Sequence, residues 1–193
     1  MISLALYGRW MSRIWSRIAA GMAASLTLAL APCAFAQSTT GTVRTTIVPR
    51  LSLLKTADLD FGQVMASSTA SGSVTVTPTG SRSAGGGATL AGGTPTAGAF
   101  AGAGTRNQIV IFSFGAPSIL LTRISGPQTM TVDSFTLGAS TTGGLNQLGS
   151  SGRWRIVSND GLFTLPVGAT LRVGAGQAPG VYEGTFTLTA VYQ

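Results

Sequence analysis

The stretch that decides the fold is GVYEGTFTLTAVYQ, residues 180–193. Taken alternately, Tyr182, Gly184, Phe186, Leu188, Ala190 and Tyr192 form one row. Val181, Glu183, Thr185, Thr187, Thr189 and Val191 form the other. The first row is apolar and the second is mostly threonine. Strand side chains alternate between faces, so this period of two predicts a strand over 181–192 with one face buried. Pro179-Gly180 predicts a turn directly before it. Such a strand either closes the sheet of its own domain or is offered to a partner.

The same alternation recurs upstream. Short strands are expected near 42–48, 51–55, 73–77, 108–114, 119–122, 129–137, 153–157, 162–167 and 169–174. Asn159-Asp160-Gly161 is the clearest hairpin signal, because Asn/Asp-Gly supplies the positive φ angles of a tight turn. No convincing period of 3.6 follows residue 36, and no solenoid repeat is present. Regular short strands with turn spacers predict an all-β fold, an immunoglobulin-like antiparallel β-sandwich. Residues 80–104 and 138–152 are rich in Gly, Ala, Ser and Thr, and are expected to be mobile loops.

The beginning of the chain reads as an export signal. Arg9, Arg13 and Arg17 precede an uncharged apolar run, residues 18–31, and the small-x-small site Ala34-Phe35-Ala36 precedes Gln37. Residues 1–36 are expected to be a signal peptide, with one domain over 37–193. The apolar run is shorter than the roughly 20 residues of a membrane span. Met11 as the start would give the signal a more ordinary length. Cys33 loosely resembles a lipoprotein cysteine, but Pro32 stands where a small residue is needed. Cleavage would remove Cys33 and leave no thiol chemistry. Export to the periplasm, cell surface or medium of a Gram-negative-like cell follows, with no membrane span in the mature chain.

The full chain carries a formal charge of +7. Cleavage would leave nine basic against five acidic residues, or +4. The arginines are scattered singly, so no nucleic-acid surface is expected. There is no histidine, which removes the commonest general base and metal ligand. Ser52 and Lys55 match S-x-x-K, but on a strand residues three apart point to opposite faces. Asp58 and Asp60 are the best carboxylate pair and could share a calcium ion. Acids at a strand end that cap backbone N–H groups are the preferred reading. Arg153-Trp154-Arg155 could stack on a sugar, yet Trp154 shares a strand face with Ile156 and reads as core. No enzymatic activity, cofactor or metal is expected.

Lys55 to Val64, KTADLDFGQV, resembles the opening motif of a bacterial family, domain-of-unknown-function family 4402. Its motif residues are Asp58, Asp60, Phe61 and Gly62. GSVTVTPTGSRS at 72–83, TMTVDSF at 129–135 and the segment 171–193 extend the resemblance over nearly all of the region after residue 36. The L-D-F-G element is also similar to spore-coat-U-like and fimbrial subunits of the chaperone–usher type. Those carry a C-terminal strand with a penultimate tyrosine and a glycine fourteenth from the end; Tyr192 and Gly180 hold these places here. The resemblance implies an incomplete sandwich, filled first by a periplasmic chaperone and then by the N-terminal arm of another copy or related subunit. It departs from many such subunits in lacking a disulfide. Val43, Thr45 and Ile47 would form the inward row of the donor arm.

The expectation is a secreted structural or adhesive surface subunit, pilin-like, that assembles by β-strand addition through Gly180, Phe186, Leu188, Ala190 and Tyr192. The alternative is a self-sufficient periplasmic or secreted glycan-binding module, with the 80–104 loops and Trp154 as its contact surface.

Overall fold

The computed structural model describes residues 39–47, 49–138, 144–149 and 152–193. The chain divides into two units, Met1–Arg44 and Thr45–Gln193. In the first, residues 39–44 are described; they form no strand and are exposed. The signal-peptide and cleavage assignments, Ala34, Ala36 and Gln37 among them, lie outside the described residues.

The second unit is built from strands and has no helix among its described residues. In chain order they are β1 (Ser52–Ala57), β2 (Gln63–Ala66), β3 (Gly72–Val76), β4 (Arg82–Gly86), β5 (Ala88–Gly92), β6 (Gly98–Ala103) and β7 (Ile109–Phe114). There follow β8 (Ser118–Arg123), β9 (Thr129–Leu137), β10 (Leu145–Gln147), β11 (Arg153–Ile156), β12 (Leu162–Val173), β13 (Tyr182–Glu183) and β14 (Leu188–Tyr192). An eight-stranded sheet runs β1-β6-β12-β9-β8-β13, with β3 on β12 and β4 on β3. A four-stranded sheet runs β10-β11-β7-β14, and β2-β5 form a separate ribbon. Every pairing is antiparallel. The fold is the expected antiparallel β-sandwich.

β12 is its spine. Its first half pairs with β6, and its second half lies between β3 and β9. Phe163, Leu165, Val167, Ala169, Leu171 and Val173 alternate along it, and all are buried. Phe163 and Leu165 join Val110, Phe112, Leu145, Trp154 and Ile156 in one core cluster, against the four-stranded sheet. Ala169, Leu171 and Val173 join Phe61, Val74, Val76, Ala88 and Val132 in a second. One strand thus feeds two cores.

Four expectations change. Residues 162–173 form one strand rather than two, because Gly168 marks close approach and not a turn. A Cβ there would stand 2.4 Å from the Val76 carbonyl oxygen. Residues 80–104 are not a loop but supply β4, β5 and β6. Their glycines let neighbours close in; at Gly102 a Cβ would meet the Phe163 ring at 2.3 Å. Likewise 138–152 contains β10, while 139–143 and 150–151 lie outside the described residues. Residues 42–47 form no strand, and Val43 and Ile47 are 96% and 92% exposed. Alternation alone does not make a strand: a ladder needs a partner.

In β9 the expected bounds hold, but the alternation reverses within the strand. Met130 and Val132 face the core before Ser134, and Phe135 after it. Ser134 has a φ of 51°, and the β9–β12 register shifts between Gly168 and Thr170. This bulge turns the second half of β9 over.

Leu165→Ala, at 0% exposure, is expected to cost about 2–5 kcal/mol in urea denaturation. Leu162→Ala on the same strand, at 55% exposure, is expected to cost under about 0.5 kcal/mol.

Candidate functional site: the terminal ribbon and its edge

Residues 180–193 do not form one strand. Tyr182–Glu183 pair with β8 at the edge of the large sheet, and Leu188–Tyr192 pair with β7 at the edge of the small one. Between them the chain changes sheets. Gly184 permits the crossing: a Cβ there would lie 2.6 Å from the Leu120 carbonyl oxygen. A period of two continues through a crossover as long as the same row keeps facing inward, so sequence spacing alone did not reveal the switch.

The turn into the ribbon is anchored at Tyr182. Its hydroxyl donates to the Ala178 carbonyl at 2.7 Å and accepts from Gln177 Nε2 at 2.7 Å. Gly180, at φ 152°, is crossed by the Arg123 side chain; a Cβ would stand 2.5 Å from Arg123 Nε. Glycine is needed there both for that backbone angle and for that space.

Phe186 sits at the crossing among three other rings. Phe100 on β6 meets it edge-on at 5.9 Å, Phe135 on β9 lies at 5.3 Å, and Phe114 on β7 at 6.2 Å. Phe114 and Phe135 stack at 4.9 Å. The cluster therefore joins both sheets.

Beyond it, Leu188, Ala190 and Tyr192 stand opposite Phe114, Phe112 and Val110. All three pack on the core cluster that holds Trp154. The Tyr192 hydroxyl accepts from the Thr105 amide at 2.8 Å and donates to the Pro49 carbonyl at 3.4 Å. Among the described residues β14 pairs only with β7, so its outer backbone edge is open. Its inward row is half-buried, whereas Val110 and Phe112 on β7 are 0% and 4% exposed. Of the five expected assembly residues, Leu188, Ala190 and Tyr192 pack together on the core from β14, Phe186 lies at the crossing, and Gly180 lies at the entry beside Arg123. Phe100, Phe114 and Phe135 complete the cluster; being isolated apolar residues on separate strands, they gave no sequence signal for it.

The motif residues form a turn. The Lys55 ammonium pairs with Asp58 Oδ1. Asp60 Oδ1 accepts from the Gly62 amide at 2.7 Å, and the Asp60 backbone bridges to Thr96. Phe61 is buried in the second core, and Gly62 has a φ of 67°. Arg82 closes this clasp: its Nη1 donates to the carbonyls of Phe61 at 2.8 Å and Gly92 at 3.0 Å, and its Nη2 to that of Gly93 at 3.4 Å. Asp60 thus takes the capping role expected of it. No group of three or more metal-ligating side chains occurs among the described residues. Trp154 is 1% exposed and is core. Ser52 Oγ accepts from the Ala103 amide at 3.2 Å and Lys55 is engaged by Asp58, so the two are used separately.

On the outer face of the large sheet Arg172 binds Asp133 with two nitrogens, at 2.9–3.2 Å. The hydrogen bond from Arg172 holds the Asp133 carboxyl below its ordinary range. Desolvation opposes this, and the Ser134 hydroxyl and the Arg172 charge add to it.

An all-β antiparallel sandwich with an open terminal edge is the class of protein these features define. The chain belongs to the family described as Domain of unknown function (DUF4402), whose model matches residues 51–192. That span runs from just before β1 to the end of β14. No curated protein and no solved structure matches the chain. Among the described residues no helix is long and apolar enough to cross a membrane.

Arg82→Ala is expected to lower stability by about 1–2 kcal/mol in denaturant titration. Arg82→Lys recovers little of it, since one ammonium cannot span three carbonyls. Asp133 gives a pH signature. Its folded pKa lies below the unfolded value, so the unfolded chain takes up the proton first and stability falls with pH. Thermal melts below about pH 4 are expected to fall more steeply for the parent than for Asp133→Asn.

Proposed function

We propose that the chain is an exported, non-enzymatic structural or adhesive subunit of the cell surface, pilin-like in assembling by β-strand addition. The observation that carries this reading is a matched pair of unsatisfied features. β14 has an open backbone edge beside a half-covered apolar row. Residues 42–47 alternate in sequence, yet Val43 and Ile47 are almost fully exposed. Open edges are normally blunted by charge, proline or cover, because they recruit other strands. The arm of one copy, laid along β14 of the next, would satisfy both. Backbone hydrogen bonds would give affinity, and Val43, Thr45 and Ile47 would set the register. A periplasmic chaperone would cover the same edge before assembly, after export by the segment 1–36. The glycan-binding module is the second reading, favoured by a trough on the large sheet lined by Thr129, Arg172 and Gln177; Trp154 takes no part in it.

Deleting residues 39–47 is expected to leave the chain folded, with a cooperative thermal melt, and to abolish multimers in sedimentation velocity. A synthetic peptide of residues 39–50 is expected to bind the deleted chain and not its Leu188→Asp variant. Multimers of unchanged size from the deleted chain would overturn strand addition through this arm.

A further inference from the structure

The outer face of the large sheet holds a trough of about 620 Å³ that runs across the neighbouring strands β4, β3, β12 and β9. On the β3–β4 side it is lined by Ser71, Gly72, Ser73, Gly85 and Gly86, and Gly85 leaves open space where a side chain would stand. Its opposite wall carries the polar side chains of Thr129, Thr131, Arg172 and Gln177 beside Met130 and Val173. The volume falls within the usual range for small-ligand sites.

The chemistry of the wall selects a class of ligand. Arg172 is the one charged residue of the lining, and its charge is already matched by the two-nitrogen pairing with Asp133. A phosphate or sulfate would have to compete with that carboxylate. The pairing uses Nε and Nη2, which leaves Nη1 as a donor directed away from it. Gln177 spends its Nε2 on the Thr129 carbonyl and the Tyr182 hydroxyl, which leaves Oε1 as an acceptor. The hydroxyls of Ser73, Thr129 and Thr131 offer both roles. A neutral wall of fixed donors and acceptors at close spacing matches a molecule whose groups also do both, which is the character of sugar hydroxyls. An apolar ligand would strand these groups without partners.

We propose that this trough binds a neutral glycan chain, with Arg172 and Gln177 as its planar contacts. It lies on a different sheet from β14, so it does not depend on strand addition. It also places the adhesive part of the proposed function at a defined position on each copy.

The test is surface plasmon resonance with the immobilised full chain, a format that reads binding per copy whatever the assembly state. Cellohexaose, maltohexaose and chitohexaose are the probes, and a heparin hexasaccharide is the charged comparator. Saturable binding of at least one neutral probe is expected, weakened at least about tenfold by Arg172→Met and by Gly85→Phe. Gly85 suits this role because a Cβ there meets only Ser73 Oγ, at 3.9 Å, so a ring fills the trough without disturbing β4. An unchanged melting temperature checks that variant, and Arg172→Met serves if it fails to fold. The chain lacking 39–47 is expected to bind equally well. No neutral probe bound at about 5 mM, binding that survives both substitutions, or tighter binding of heparin would each overturn the proposal.

Discussion

Four phenylalanine rings, from β6, β7, β9 and the segment between β13 and β14, meet where the two sheets come closest to sharing a chain. Aromatic pairs at these separations contribute about 0.5–1.5 kcal/mol each beyond the area they bury. More important than the sum is what the rings connect. Phe100 and Phe135 belong to the large sheet, Phe114 to the small one, and Phe186 to the strand of chain that passes between them. The path of the last fourteen residues follows from this contact. Once Phe186 is seated, Gly184 must cross β8 closely, and Leu188, Ala190 and Tyr192 fall into register with β7.

The family motif has a comparable role at the other core. Asp58-Leu59-Asp60-Phe61-Gly62 carries two acids, which invites a catalytic or metal reading. Its geometry is instead that of a fastening: an aspartate holding a glycine amide, a phenylalanine inserted in the core, and an arginine from β4 gathering three carbonyls. Arginine suits this task because its planar fork reaches several acceptors at once. The β2–β5 ribbon, which pairs with no other strand among the described residues, is tied to the sandwich by this clasp and by the apolar packing beneath it.

Much of this was legible in the sequence. β1, β3, β7, β8, β9 and β11 lie where alternation placed them, because each has one face in a core and one in solvent. Failure came where glycine was read as flexibility. β4, β5 and β6 look like a linker by composition, yet Gly102 is small because Phe163 occupies the space beside it. Gly168 resembles a break between two strands, yet it lets a single strand pack more tightly. The site was half legible. The apolar row of the ribbon was visible, and so was the role of Trp154, whose face was shared with Ile156. The switch between sheets was not, because it preserves the pattern that revealed the ribbon. Nor could spacing show that residues 42–47 would stay exposed.

The crossing also has a mechanical meaning. A terminal strand attached to a single sheet can be peeled away one hydrogen bond at a time. Here tension on Tyr192 runs along β14 to Phe186, whose ring is gripped from both layers, and only then to β13 and its anchor at Tyr182. Peeling that begins at Tyr192 can free β14 from β7, but at Phe186 it meets both sheets at once. A chain without a disulfide in its sandwich would thereby resist traction by geometry alone.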